Sequence, residues 1–203
     1  MSRRVVAIDT TSETGSLALV EDGSILEEIT WQAGDGHAQA LYGHLEALLA
    51  RHAWSIDSID LFAAASGPGS FTGVRVGLAA MQGLADATGK TAVGVSNLRA
   101  IASFGNSALR AVVIDARRGE VYGAVYDGNL AAVQPEVAMP FEAWKSGLPE
   151  GAELISPEPA RFGGTLAPLA LAGAIGRIAA RCGAVPEANY VRRSDAELHW
   201  RES

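Results

Sequence analysis

Arg4-Val5-Val6-Ala7-Ile8-Asp9 and Arg110-Ala111-Val112-Val113-Ile114-Asp115 share one pattern: a basic residue, a largely β-branched apolar run and a closing aspartate. Each predicts a buried strand. The sequence that follows each run is also alike. In the first copy residues 10–14 form a polar turn, Ser16-Leu17-Ala18-Leu19-Val20 a strand, Asp22-Gly23 a reversal and residues 24–30 a third strand. In the second, Ala116-Arg117-Arg118-Gly119 turns the chain into Glu120-Val121-Tyr122-Gly123-Ala124-Val125-Tyr126, and Asp127-Gly128 reverses it into residues 130–133. The strand-ending aspartate precedes the Asp-Gly turn by 13 residues in one copy and 12 in the other. Both copies read as three-stranded meanders.

Helical sequence follows each meander. Ala38, Leu41, Leu45, Leu48 and His52 recur at helical spacing, and beyond Trp54 the run Leu61-Phe62-Ala63-Ala64-Ala65 predicts a buried strand. Next comes Ser66-Gly67-Pro68-Gly69-Ser70-Phe71-Thr72-Gly73-Val74-Arg75-Val76-Gly77. Gly67, Gly69 and Gly73 permit approaches that a Cβ forbids, while Ser70 and Thr72 can cap the N–H groups of a following helix. Such a helix start attracts anions; the alternative is that the glycines only let the helix pack tightly on a strand. The helix carries Val74, Leu78, Met81 and Ala85 on one stripe and Gly73, Gly77, Ala80 and Gly83 on a smoother one. A short strand at residues 91–95 and a helix from Asn97 complete this half. In the second half Pro135, Pro140, Pro149, Pro157 and Pro159 break up the middle, one long helix is expected at residues 165–181, and residues 185–203 predict an extended tail.

Composition bounds the function. A chain of 203 residues that is 48% hydrophobic can bury a core. Its apolar stretches are too short for a membrane span and no export signal follows Met1-Ser2-Arg3-Arg4, so a soluble protein is expected. Cys182 is the only cysteine, which excludes an internal disulfide. A net charge of −7, with Arg117-Arg118 and Arg192-Arg193 the only basic pairs past the N-terminus, is a poor footprint for independent nucleic-acid binding.

Two βββαβα-type halves, each with an aspartate closing its first strand, resemble the duplicated architecture of the actin, sugar-kinase and Hsp70-like ATPases. The resemblance implies an actin-like, ribonuclease-H-like α/β fold of two lobes, residues 1–105 with the glycine loop and residues 106–203 as a reduced lobe with a tail. Ala7-Ile8-Asp9-Thr10, residues 66–77, Gly94-Val95-Ser96, Ile114-Asp115-Ala116-Arg117-Arg118-Gly119-Glu120-Val121-Tyr122 and Tyr190-Val191-Arg192 together resemble the TsaB family, also called YeaZ, nearly end to end. That resemblance implies a non-catalytic partner of TsaD. TsaD transfers a threonylcarbamoyl group to the adenosine next to the anticodon of tRNAs reading codons that begin with A.

TsaD carries an H-x-x-x-H pair just after the matching helix, and histidines at i and i+4 share a helix face and can hold one metal. Asn97 and Ile101 stand at those positions here, so the metal site is expected to be lost. His37 and His44 are seven apart, a rise of about 10 Å on a helix, too far to chelate one ion. His52 and His199 lack ligand neighbours and read as solvent-facing or partner-facing. Ser70 lies outside the nucleophile-elbow spacing. Asp9 and Asp115 either hold magnesium in a nucleotide cleft or cap turns, Asp9 through Thr11 and Ser12 and Asp115 near Gly119.

No catalytic residue, metal or cofactor is therefore expected, with ATP or ADP at a complex interface left open. Asp9, Thr10, Thr11, Gly67, Gly69 and Ser70 are the candidate phosphate-facing residues. The resemblance places the helix of residues 37–52 and the glycine-loop helix against TsaD, which makes Leu41, His44, Leu45, Leu48, Gly73, Val74, Gly77 and Met81 the candidate partner interface. It further implies TsaE as a partner, a homodimer through the same helices, tRNA reached only through the complex, and a cytoplasmic location. The alternatives are a glycoprotease-like metallopeptidase and a free-standing actin-like nucleotide-binding protein.

Overall fold

The computed structural model describes residues 2–34 and 36–181. Cys182, His199, Tyr190-Val191-Arg192 and the rest of the expected tail lie outside them. The described chain divides into two compact units, one of residues 2–100 with 168–181 and one of residues 101–167.

In the first unit β1 (Arg4–Asp9), β2 (Thr14–Glu21) and β3 (Ser24–Gln32) form the expected meander. Asp22 and Gly23 turn the hairpin at φ 51° and 79°, the left-handed geometry whose twist matches that of paired strands. β4 (Leu61–Ala65) pairs in parallel with β1, and β5 (Thr91–Val95) with β4, giving the order β3-β2-β1-β4-β5. Side chains alternate along a strand, so Val6 and Ile8 face one side of β1 and Val5 and Ala7 the other. All four are fully buried, which requires cover on both faces. α1 (His37–Arg51) and α2 (Phe71–Thr88) supply the first cover: Leu41, Leu45, Leu48 and Met81 share a core with Val6, Ile8, Leu17, Leu19 and Phe62. α3 (Asn97–Ala102) follows β5.

The second unit repeats the meander in β6 (Leu109–Arg117), β7 (Glu120–Asp127) and β8 (Ala132–Pro140). α4 (Phe141–Ser146), β9 (Glu153–Ser156), α5 (Pro159–Phe162) and β10 (Thr165–Leu166) complete it, with the order β10-β9-β6-β7-β8. Its core gathers Ala111, Val113, Val121, Val125, Trp144 and Phe162. β8 runs through Pro135 to Pro140, further than the prolines suggested. It is an edge strand with register shifts against β7, a place where a missing N–H leaves no ladder bond broken.

The chain then returns to the first unit in α6 (Ala172–Arg181), which covers the second face of its sheet. Two expectations differ here. Residues 165–166 pair with β9 instead of opening the helix, because Pro168 stands between them and α6. The helix belongs with the first sheet and not with the lobe of residues 106–203: Gly176 lets α6 lie against β1 and β2, and the N–H groups at its start are capped from β2 and β3. Ser16 Oγ accepts from Leu171 and Ala172 at 3.2 and 3.0 Å, and Glu28 Oε1 accepts from Gly173 at 2.9 Å. No helix among the described residues is long and apolar enough to cross a membrane.

A Cβ at Gly176 would meet Val20 Cγ2 at 2.7 Å and Ala7 Cβ at 3.1 Å, both on stiff strand residues. Gly176→Ala should therefore lower stability by about 1–3 kcal/mol, the usual cost of overpacking a filled core. Urea unfolding with an unchanged midpoint would remove this account of how α6 is seated.

Candidate functional site

Asp9 ends β1 and Ser66 ends the run through β4, so parallel pairing of the two strands brings the turn after β1 against the glycine loop. Three of the loop's glycines make the approach feasible. The carbonyl oxygen of Thr10 occupies the position a Gly73 Cβ would need, a Cβ at Gly69 would lie 2.7 Å from Thr11 O, and one at Gly77 would lie 2.8 Å from Thr10 Oγ1. Hydrogen bonds then fasten turn to loop. Ser70 N–H donates to Thr11 O at 2.7 Å, and Thr10 Oγ1 donates to Gly73 O at 2.7 Å. Ser70 Oγ accepts from Gly73 N–H at 3.3 Å, the expected N-cap of α2.

Behind the turn lies a buried polar chain. Asn97 Nδ2 donates to Thr11 Oγ1 at 2.6 Å, Thr11 Oγ1 donates to Asp9 Oδ1 at 2.6 Å, and Thr11 N–H donates to the same oxygen at 2.8 Å. Asn97 also grips the loop from both sides of one residue: its Oδ1 accepts from Gly67 N–H at 3.0 Å and its N–H donates to Gly67 O at 2.9 Å. Burial pushes the Asp9 carboxyl above its ordinary value near 3.8, against the hydrogen bonds from Thr11 and Asn97 and the charge of His37, which pull it down.

The six candidate phosphate-facing residues are thus brought together, but they face one another. Asp9, Thr10, Thr11 and Gly67 are buried, leaving Gly69 and Ser70 exposed. Of the loop's N–H groups, that of Gly67 goes to Asn97 Oδ1, that of Ser70 to Thr11 O and that of Gly73 to Ser70 Oγ. Asp9 caps its turn through Thr11, as one reading of the sequence had it. Asp115, in the second unit, is also committed to its own turn. Burial pushes its carboxyl up, but Arg161, whose Nη1 lies 2.8 Å from Oδ2, and the Arg117 N–H at 2.9 Å from Oδ1 together hold it below the ordinary value. Among the described residues no three His, Cys, Asp or Glu side chains gather to hold a metal.

The candidate interface residues turn out to face inward. Leu41, Leu45, Leu48, Gly73, Val74, Gly77 and Met81 are buried in the first unit, because the apolar stripe of each helix is what covers the sheet. His44 stacks on Trp31 of β3 with ring centroids 4.9 Å apart. The outward stripe is different: Tyr42, 54% exposed, with Gly43 and Ala47 on α1, and Phe71, 41% exposed, with Ala79 and Gly83 on α2. Arg75 lies over the Phe71 ring at 3.7 Å. Sequence reading also missed the anchors of α1. His37 Nε2 lies 2.7 Å from Ser12 O, and Glu27 of β3 accepts from Arg51 and lies 2.7 Å from His52 Nε2. No local pattern announces such cross-chain pairs.

A family model described as "TsaD: tRNA N6-adenosine threonylcarbamoyltransferase" matches residues 29–156. The tRNA threonylcarbamoyladenosine biosynthesis protein TsaB of Escherichia coli is 39% identical over 127 residues, 61% of this chain and 54% of that protein. The TsaB protein of Bacillus subtilis is 29% identical over 151 residues, 72% and 66% of the two chains. Against the E. coli protein and the Haemophilus influenzae TsaB, of which 51% is covered, the chain spans about half the length of the curated relatives it matches. Among solved structures, a Pseudomonas aeruginosa protein described as similar to peptidase YEAZ superposes with TM-score 0.76 at 25% identity, covering 94% of this chain and 100% of that one. EutJ of Carboxydothermus hydrogenoformans, at TM-score 0.50 and 12% identity, shares the fold.

Asp9 offers a direct check on the closed site. Its folded-state pKa is raised, so its contribution to stability is fully present below the ordinary value near 3.8 and is lost as the pH rises through the folded value. Asp9→Asn keeps an oxygen for Thr11 without a charge to bury. It should be more stable than the parent at neutral pH, by a margin that closes toward pH ~4. Denaturant midpoints below the parent's across that range would contradict the assignment.

Proposed function

Because this chain belongs to the TsaD family and, within it, to the TsaB (YeaZ) proteins, we propose that it is a non-catalytic partner that binds and activates the transferase TsaD in tRNA threonylcarbamoyladenosine synthesis. The observation that carries this reading is the closed chain Asp9–Thr11–Asn97–Gly67. An acid, a base or a metal ligand must present a free lone pair or proton to its substrate. Here the polar groups at the strand ends and the glycine loop are turned on one another. Asn97 is one of the two positions where the transferase has its histidine pair; the other, Ile101, is a buried aliphatic side chain without a donor atom.

What such a chain offers is a surface. The outward stripe of α1 and α2 combines two exposed aromatic rings with small residues, so another helix can approach its backbone closely and find anchors at the edge. TsaD is the proposed occupant, a second copy of this chain the occupant in its absence, and the ATPase TsaE a further member of the assembly. tRNA would be reached through the complex, in the cytoplasm, consistent with a net charge of −7.

Purified alone, the chain should make no threonylcarbamoyladenosine; added to TsaD, TsaE and the enzyme that forms threonylcarbamoyl-adenylate, it should restore synthesis. Product from the chain alone would overturn the reading. The surface has its own test. Ala47→Arg or Gly83→Arg should weaken TsaD binding by calorimetry at least about tenfold with unchanged melting, about 1.4 kcal/mol of affinity. Leu45→Asp should instead unfold the chain, since Leu45 lies in the core. Unchanged affinity in both arginine variants would move the interface elsewhere.

A further inference from the structure

The outward faces of α1 and α2 each carry a line of residues spaced four, three and four apart: Gln39, Gly43, Glu46 and Ala50 on α1, and Arg75, Ala79, Gln82 and Asp86 on α2. At about 100° per residue each line stays within about 60° of arc, opposite the buried Leu41, Leu45, Leu48 and Met81. Gln82 is half-buried and the other seven are exposed. This is the spacing of the contact line between helices packed side by side at a shallow angle. A side chain on such a line ends up beneath the docking helix, and a charged one loses its water there.

Histidines aside, four residues of the two helices carry a charge. Three are engaged within the chain: Arg51 donates to Glu27, Arg75 lies over the Phe71 ring, and Asp86 accepts from Gln82. Glu46 makes no hydrogen bond or ion pair among the described residues. Gly43 and Ala50, a turn to either side of it, have no side chain that could donate to it.

We propose that Glu46 selects the occupant of this face: the transferase helix that docks on α1 carries a lysine or arginine opposite it, at the close approach that Gly43, Ala47 and Ala50 allow. This rests on the proposal that the transferase docks here and adds the chemistry of its contact surface. A carboxylate covered without a base stays charged and desolvated, so an apolar or acidic helix is rejected, whereas a base gains a charge-assisted hydrogen bond. Small neighbours sharpen the choice by letting the partner backbone come near and exclude water. Self-pairing meets the rejection. When α1 lies against α1 of a second copy, each brings a carboxylate to the contact and neither brings a base, because Arg51 and Arg75 are held by Glu27 and Phe71. The chain as a whole, at a net charge of −7, also steers a basic surface toward itself.

Calorimetry against the transferase, with melting as the check on folding, tests the selection. Glu46→Gln keeps the shape and removes the charge; it should weaken binding at least about tenfold, and Glu46→Lys at least about a hundredfold, with melting unchanged. Glu150→Lys, at an exposed site of the second unit, makes the same change in net charge and should alter affinity by less than about threefold. In a scan of the transferase's exposed lysines and arginines, one exchanged for glutamate should restore binding to Glu46→Lys and weaken binding to the parent. Sedimentation of the chain alone should show self-association unchanged or stronger in Glu46→Gln. Parent-like affinity in both Glu46 variants, a loss no larger than that of Glu150→Lys, the lack of any restoring exchange, or self-association that weakens in step with transferase affinity overturns the selection. If Ala47→Arg and Gly83→Arg still weaken binding in that case, the face is right and the charge is not its selector; if they do not, the docking face falls with it.

Discussion

The carbonyl oxygen of Thr10 lies where a side chain at Gly73 would begin, and the rest of the first unit depends on that contact. It fixes how close α2 comes to the end of β1, because any residue larger than glycine would lift the helix away from the turn. With α2 at that depth, Ala80, Met81 and Ala85 reach the sheet and join the leucines of α1 in one core. The same approach places Thr11 under the loop, where its carbonyl takes the Ser70 N–H and its hydroxyl takes the Asn97 amide. A loop that reads as an anion cradle becomes a socket for the protein's own turn. Phosphate and the turn would compete for the Ser70 N–H, and the turn is covalently at hand.

Closing the socket also sorts the helix surfaces. Burying the branched and long apolar residues of α1 and α2 inward leaves Gly43, Ala47, Ala79 and Gly83 among the outward residues, and these carry little side-chain entropy to lose when another surface arrives. Tyr42 and Phe71 add rigid area at low entropic cost. The inward stripe, easy to read as an interface because it is apolar, is spoken for by β1, β2 and β4. The stripe left exposed is the one that looks unremarkable in sequence.

Much of this was legible. The two meanders follow from alternation and from Asp22-Gly23, whose positive φ values only such residues adopt cheaply, and the serine cap of α2 followed from its position. Asn97 and Ile101 could be read as a missing metal pair from residue types alone. The direction of the leucine stripe could not, since periodicity finds an apolar face and not its partner. Nor could the cover of the second sheet face. Ser16 and Glu28 cap a helix some 145 to 156 residues away, and no local window contains both halves of that bond. Trp31 and His37 likewise meet only because Gly15, on a neighbouring strand, leaves them room.

A carboxylate buried at the end of a strand needs a physical reason to persist. Asp9 Oδ1 is the acceptor for both the N–H and the hydroxyl of Thr11, and that hydroxyl is the acceptor for Asn97. Replacing Asp9 by an apolar residue would orphan two buried donors at once, at about 1–3 kcal/mol each. Replacing Thr11 would leave Asn97 and Asp9 both short of a partner. Each member is therefore tolerable only while the others remain, although the carboxylate itself sits in an environment that disfavours its charge. A network of this kind can change all together or in isosteric steps such as carboxylate to amide, and hardly otherwise. The architecture of this turn and loop is thus held in place by the hydrogen bonds its members make to one another.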